Sequence, residues 1–248
     1  MSASTPTIRE PEARTRILDA ALTEFSEYGL AGARTEAIAA SAGVNKALLY
    51  YYFESKEKLY TAALETEAGR VRDISLAVLD SAASPGQRLL QMAINHFDRI
   101  LTQREFQSIM QQEMMRRQKG EPGNLPILVA HIFKPLHQRF EEIVQEGIAS
   151  GELIDVDLLQ MEMAAMGANV FYFLTAPFLR LMAPPDSFDP FSPEVLAARR
   201  KALVDFLGQA VFQDRHHGAT VAARVLAQSP MPQLKGKFWF GRQDERTK

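Results

Sequence analysis

A chain of 248 residues is long enough for one large domain or a small one joined to a larger, and 46% hydrophobic with 23% charged residues is ordinary for a globular protein with a sizeable core. A net charge of -2 excludes wholesale polyanion binding, so any nucleic-acid surface must be a local patch; the lack of cysteine excludes disulfides, thiol catalysis and Cys-ligated zinc. Residues 1–11 lack the apolar core of a secretory signal, and the richest apolar window, 163–182, is interrupted by Asn169, Pro177 and Arg180. No membrane partner and a cytoplasmic location are therefore expected.

Strand signals are nearly absent, helical periodicity dominates, and an all-α fold is expected. Residues 12–28 place Ile17, Leu18, Ala21, Leu22, Phe25 and Tyr28 on one face, with Gly29 as the stop. Thr35 is read as the cap of a short helix that carries Ile38, Ala39 and Ala42 and ends at Gly43. A third short helix covers about 45–52. Ser55 then caps a long helix with Leu59, Ala62, Ala63, Val71, Ile74 and Leu79 inward. After Ser84-Pro85-Gly86 the period resumes to Leu101, and another helix runs through Phe106, Ile109, Met110 and Met114. "KGEPGNLP" (119–126) is a loop; 127–149 reads as one helix with a kink at Pro135; "SGELIDVD" is a turn. A nearly all-apolar helix follows at 157–181, then the breaker "APPDSFDPFSP", then a last long helix at 193–212. From Gln213 onward the reading is a tail, with weak helical character at 219–227 and Trp239 between Phe238 and Phe240 near its end.

The stretch "TEAIAASAGVNKALLYYYF", residues 35–53, is helix, glycine turn, helix. In that arrangement the second helix enters the major groove of DNA. Ile38, Ala42, Val44 and Leu49 stand where the helices pack, and Gly43 tolerates the positive φ of the turn. Asn45, Lys46, Ala47 and at least one tyrosine are left outward. Three consecutive residues fan over about 200°, so the tyrosines divide: Tyr52 turns partly inward while Tyr50 and Tyr51 flank the groove. There a phenol packs its ring and donates its hydroxyl to phosphate. Lys46 is placed for base edges or phosphate, and Lys56 for an anion at the next helix start. Arg34 and Thr35 border the same hairpin. Asn45 either reads adenine or caps the helix, and both roles stay open. Charge does not argue for DNA, because residues 1–60 carry seven Lys/Arg against eight Asp/Glu. On pattern alone, a helical hairpin within a bundle is the alternative.

The run resembles the N-terminal DNA-binding domain of the TetR family of bacterial repressors. That family commonly reads Ile-Ala-x-x-Ala-Gly-Val-Ser-Lys-Gly-Thr-Leu-Tyr-Tyr-His-Phe-x-Ser-Lys-Glu-x-Leu. Ile38, Ala39, Ala42, Gly43, Val44, Lys46, Leu49, Tyr50, Tyr51, Phe53, Ser55, Lys56, Glu57 and Leu59 match, and Thr35 opens the same run. Asn45, Ala47, Leu48 and Tyr52 replace the usual Ser, Gly, Thr and His. Leu48 thus loses a polar contact but suits a thymine methyl. The resemblance implies an N-terminal three-helix DNA-binding domain and a C-terminal helical domain for ligand binding and dimerisation. The expected boundaries are an arm at 1–11, the helix-turn-helix at 12–54, the helical domain at 55–212 and a tail at 213–248. Arg9, Arg14 and Arg16 in residues 1–16 are candidates for added phosphate or minor-groove contacts.

The implied partners are double-stranded operator DNA, a small-molecule effector and a second copy of the chain. Helix 157–181 supports the homodimer independently, since a helix apolar all round must be covered on both sides. The implied effector is mostly apolar, with Phe97, Met110, Met114, Phe133, His137, Met166, Asn169 and Phe173 as candidate contacts; His137 and Asn169 are its polar anchors. No cofactor, metal or catalytic residue is expected. His131 and His137 are six apart on different helix faces, and no phosphate loop or nucleophile elbow is present. An apolar small-molecule-binding module with vestigial DNA binding is the competing reading.

Overall fold

The computed structural model describes residues 10–184 and 188–233. The proposed arm contact at Arg9 and the Trp239 segment lie outside them. The described residues form an all-α fold: α1 (Glu10–Gly32), α2 (Thr35–Ala42), α3 (Lys46–Phe53), α4 (Lys56–Leu79), α5 (Pro85–Thr102), α6 (Arg104–Gln118), α7 (Leu125–Leu128), α8 (Lys134–Ala149), α9 (Leu158–Met182), α10 (Pro193–Ala210) and α11 (Arg215–Gln228). A single antiparallel bridge joins Leu153 to Phe212 among them. No helix is long and apolar enough to cross a membrane among the described residues.

Local chemistry sets most boundaries. Asn45, Ser55, Asp157 and Ser192 each accept a backbone N–H of the following turn through the side-chain oxygen, which satisfies one of the donors a helix start leaves open. Thr35 does not cap α2: Arg34 occupies that position, and the Thr35 hydroxyl faces Tyr50 instead. Gly29 kinks α1 rather than ending it, and one further turn reaches Gly32. Residues 127–149 are not one helix either. A π-helical turn at Val129–Phe133 separates α7 from α8. Pro135 has no N–H to donate into the preceding turn, and the wider turn sits where that ladder is interrupted.

The described residues divide into two compact units, one within 1–73 and 103–135 and the other within 74–102 and 136–248. In the first, α1 packs against α2 and α6, with Phe25 edge-on to Tyr60 at 4.9 Å. Such a ring pair adds roughly 0.5–1.5 kcal/mol beyond its buried area. Beneath it the fully buried carboxylate of Glu113 accepts from Tyr60 Oη at 2.8 Å, Arg116 Nη1 at 2.9 Å and the Asn124 backbone N–H. Burial, and then the hydrogen bond to the Glu113 carboxylate, hold the Tyr60 phenol well above its ordinary range.

In the second unit, α5 packs against α9, α10 and α11 around Leu90, Ile94, Ile143, Val204 and Phe212. Arg200 is buried and grips both Asp98 oxygens at 2.8 and 2.6 Å while donating to the Ser229 carbonyl at 2.8 Å. The expected tail at 213–248 is corrected here, since residues 215–228 are helix α11, capped by Asp214 and buried along Val221, Ala222 and Val225. Its contact with α10 is backbone to backbone. A Cβ on Gly218 would stand 1.9 Å from the Gly208 carbonyl oxygen. Its buried stripe of Gly218, Val221, Ala222 and Val225 is short and built largely of small residues, so periodicity gave only a weak signal for it.

Candidate nucleic-acid interface

The α2–α3 hairpin is closed by its glycine. Gly43 adopts φ 64°, ψ 38°, and the N–H groups of Gly43 and Val44 return to the carbonyls of Ala40 and Ala39 at 3.1 and 2.9 Å. A side chain there would carry the strain of the left-handed region. Ile38, Ala39, Ala42 and Leu49 are buried between the helices. Asn45 then turns extended and accepts from the Leu48 N–H at 2.8 Å. Of the two roles open to Asn45, capping is the one it performs in this structure.

The outer edge of α3 carries exposed Lys46, Ala47 and Tyr51, with Leu48 half-buried beside them. Tyr51 is the most exposed of the three tyrosines at 73%, and Tyr52 turns partly inward, edge-on to it at 5.4 Å. Tyr50 lies between: its hydroxyl is 3.3 Å from Thr35 Oγ1, and the Lys46 ammonium stands 5.7 Å above its ring. Lys46 also pairs with Glu36 across the hairpin. That hydrogen bond is the largest cause lowering the Glu36 carboxyl and raising the Lys46 ammonium. Both groups are solvent-exposed, so the pair contributes little to stability and opens readily.

Lys56 is engaged internally. Its ammonium donates to the Ala31 and Ala33 carbonyls at 3.1 and 2.8 Å, tying the start of α4 to the end of α1, where carbonyls lack helical partners. Arg34 keeps an exposed side chain while its N–H donates to Glu24. Arg14 lies 5.4 Å over the Phe53 ring. At the α3–α4 junction, Glu54 takes φ 61°, ψ -45°, and the Ser55 N–H reaches back to the Phe53 carbonyl at 2.6 Å. This is a three-residue γ-turn of the strained hand. Sequence reasoning missed Glu36 and the internal use of Lys56, because both partners arrive from other helices.

The candidate effector contacts are scattered. Phe97 and Phe173 share one core cluster at 5.2 Å, and buried Asn169 stands on α9 one turn before Phe173. His137 is exposed and bonded to Glu162 at 2.9 Å, and Met166 is exposed on α9. Met110, Met114 and Phe133 belong to the other compact unit, where Met110 is buried, Met114 exposed and Phe133 intermediate. An open groove of ≈ 370 Å³ in that unit is lined by Arg117, Leu125, Pro126, Val129, Ala130 and Lys134, none of which the sequence had nominated.

Comparison with known proteins agrees with the hairpin geometry. Residues 17–63 match the family model described as bacterial regulatory proteins, tetR family. Over 80 residues the chain is 38% identical to the HTH-type transcriptional regulator BetI of Rhizobium meliloti (strain 1021), covering 32% of this chain and 39% of that protein. A longer match, 29% identical over 149 residues, covers 59% of this chain and 71% of the HTH-type transcriptional repressor KstR2 of Mycolicibacterium smegmatis. The first curated relatives are thus matched over well under half of their own length, 39% and 35% for the first two. A protein of Saccharomonospora viridis described as a transcriptional regulator, solved in complex with choline, shares the fold at TM-score 0.64 and 19% identity. That match covers 82% of this chain and 98% of that one. Residues 17–63, the helix-turn-helix and the stretch around it, thus carry the N-terminal domain of the tetR family of bacterial regulatory proteins, and the remaining helices share the fold of solved regulators.

Proposed function

We propose that the chain is a transcriptional repressor that binds palindromic operator DNA as a homodimer and is released by a small, mostly apolar effector. The observation that carries this reading is the exposed α3 edge of Lys46, Ala47 and Tyr51 on a hairpin whose other face is fully packed. Ala47 and Leu48 offer apolar contact to thymine methyls, and Tyr51, Tyr50 and Arg34 offer donors to phosphate. Asn45, Thr35, Tyr52 and Lys56 hold the helix in place beside the groove. Two copies of α3 would enter successive major grooves about 34–36 Å apart. Footprinting on the DNA beside its own gene tests the reading, with affinity expected to fall steeply as salt rises. A protein that bound its effector but no duplex would be the vestigial binding module instead.

Lys46 has to exchange Glu36 for a phosphate on binding. Glu36→Gln is therefore expected to tighten operator binding, because it frees Lys46 and removes a negative charge from the DNA edge. Lys46→Ala is expected to weaken binding and lower the salt slope by roughly one unit. Titration of a labelled duplex at several salt concentrations reads both. Weaker binding by Glu36→Gln would contradict the exchange.

Support for the dimer comes from α9, which exposes Met163, Phe171, Leu174 and Phe178 along one side, with Phe206 exposed on α10. A contiguous apolar surface of this kind marks an interaction site. Phe171 is 66% exposed and Phe173 only 2%, so the two neighbours should behave differently. Phe171→Glu is expected to give a folded monomer with weak operator binding, since linkage of the half-sites is lost. Phe173→Glu is expected to unfold the second unit. Sedimentation mass and circular dichroism together separate these outcomes, and an intact Phe171→Glu dimer would misplace the interface.

A further inference from the structure

Four polar side chains of the second unit, Ser75, His96, Arg99 and Asn169, bond in two pairs among apolar neighbours and leave a cation without a counter-charge and one buried acceptor without a partner. His96 and Arg99 are three apart on α5 and so share a face. Arg99 Nη1 donates to Ser75 Oγ at 3.1 Å, and no carboxylate lies within ion-pair distance of it among the described residues. Burial alone lowers its guanidinium from the ordinary value. A sequestered cation without a counter-charge is costly and uncommon. Asn169, with no exposed surface, donates from Nδ2 to His96 Nδ1 at 3.1 Å and to the Ala93 carbonyl at 3.4 Å. The carbonyl can only accept, which fixes the amide orientation. Asn169 Oδ1 is thereby left buried without a partner.

The same contact fixes the imidazole. Burial, with the Arg99 charge a smaller cause, holds His96 at about 3, so it is neutral at physiological pH. Because Nδ1 accepts from Asn169, the proton sits on Nε2, which becomes a donor. His96 and Arg99 nevertheless retain accessible surface. The cluster therefore presents a charged donor, a neutral donor and one orphan acceptor. Met92 lies on the α5 face of His96 and Arg99, and Met92, Leu136, Phe140 and Ala165 pack partly buried on the adjoining core. Those side chains supply an apolar surround.

We propose that Ser75, His96, Arg99 and Asn169 form the head-group site of the effector, and that the effector is an amphipathic carboxylic acid. Its carboxylate accepts from the Arg99 guanidinium and His96 Nε2–H, a hydroxyl close to the carboxylate donates to Asn169 Oδ1, and its apolar body lies along the Met92 side. This rests on the effector-released reading above and gives that effector a chemical class. Ser75 is a positioning residue that orients the guanidinium.

Calorimetric titration of the full chain without DNA, using decanoate, 3-hydroxydecanoate and 1-decanol, tests the site. Decanoate is expected to bind at least about tenfold tighter than 1-decanol, and 3-hydroxydecanoate several-fold tighter again. Arg99→Gln is expected to lose about tenfold to a hundredfold in decanoate affinity, the range of a charge-assisted hydrogen bond, while Arg99→Lys keeps the preference for the acid over the alcohol. Because Arg99 has no counter-charge to lose, Arg99→Gln should melt no lower than the parent protein. No decanoate binding, or binding unchanged in Arg99→Gln, overturns the site. A lowered melting temperature with unchanged affinity would mark Arg99 as structural and overturn it equally. Equal affinity for decanoate and 3-hydroxydecanoate overturns the Asn169 assignment. Operator release is measured separately. Decanoate held through Arg99 without release supports the site and rejects the effector reading, whereas release without Arg99-dependent binding does the reverse.

Discussion

Gly218→Ala is expected to cost about 3 kcal/mol of stability, at the upper end of what overpacking a filled core costs. The added methyl would stand 1.9 Å from the Gly208 carbonyl oxygen and 2.8 Å from Phe212 Cγ. One is backbone and the other a buried ring, so neither yields by a rotamer change. The helices must part instead, and the burial of Val221, Ala222 and Val225 beneath them is lost in part. Gly208→Ala meets the Gly218 carbonyl at 2.8 Å and should cost less. Denaturant titration of both variants gives the order. A Gly218→Ala midpoint equal to that of the parent would mean that α10 and α11 cross less closely than described.

Removing Arg200 is expected to have the other large effect. Arg200→Ala leaves the half-buried Asp98 carboxylate without its bidentate partner, a loss of about 3 kcal/mol near neutral pH, the lower end for breaking a buried pair. Burial already raises the Asp98 carboxyl above its ordinary value, and Arg200 opposes that rise. Without the guanidinium the folded-state pKa climbs further above the unfolded one, and the folded chain then binds the extra proton. The penalty should therefore shrink as pH falls through the raised folded pKa and stay full above it. Comparing parent and variant unfolding at acid and at neutral pH checks the sign. A penalty that grew toward acid would contradict it.

Much of the first unit was legible because its signals are local. Asn45 and Ser55 are good caps in sequence and caps in space, and Gly43 turns where its missing side chain permits. That the three tyrosines must divide between faces followed from 100° per residue alone. What stayed hidden depends on distant chain. Nothing near Lys56 announces that its ammonium ends on carbonyls about 25 residues earlier, and Glu36 faces Lys46 only because the hairpin folds back. Helix α11 was only weakly visible for the opposite reason, since its close approach to α10 depends on missing side chains at Gly208 and Gly218. The polar cluster at His96 and Arg99 was half visible. Their i, i+3 spacing could have been read, but the amide of Asn169 that completes it comes from another helix.

With only Glu54 and Ser55 between them, α3 and α4 form a crank rather than a hinge. The γ-turn leaves no slack in which one arm can move while the other rests, because Glu54 is already at the edge of what a side-chain-bearing residue tolerates. From residue 56 to 73, α4 reaches about 27 Å at 1.5 Å per residue. A tilt of about 5° about the joint therefore carries that far end about 2 Å and turns the α3 edge through the same angle. Read in reverse, the same stiffness is a gear: a small push at residue 73 becomes a change in the bearing of Tyr51, with no residue between them free to absorb it.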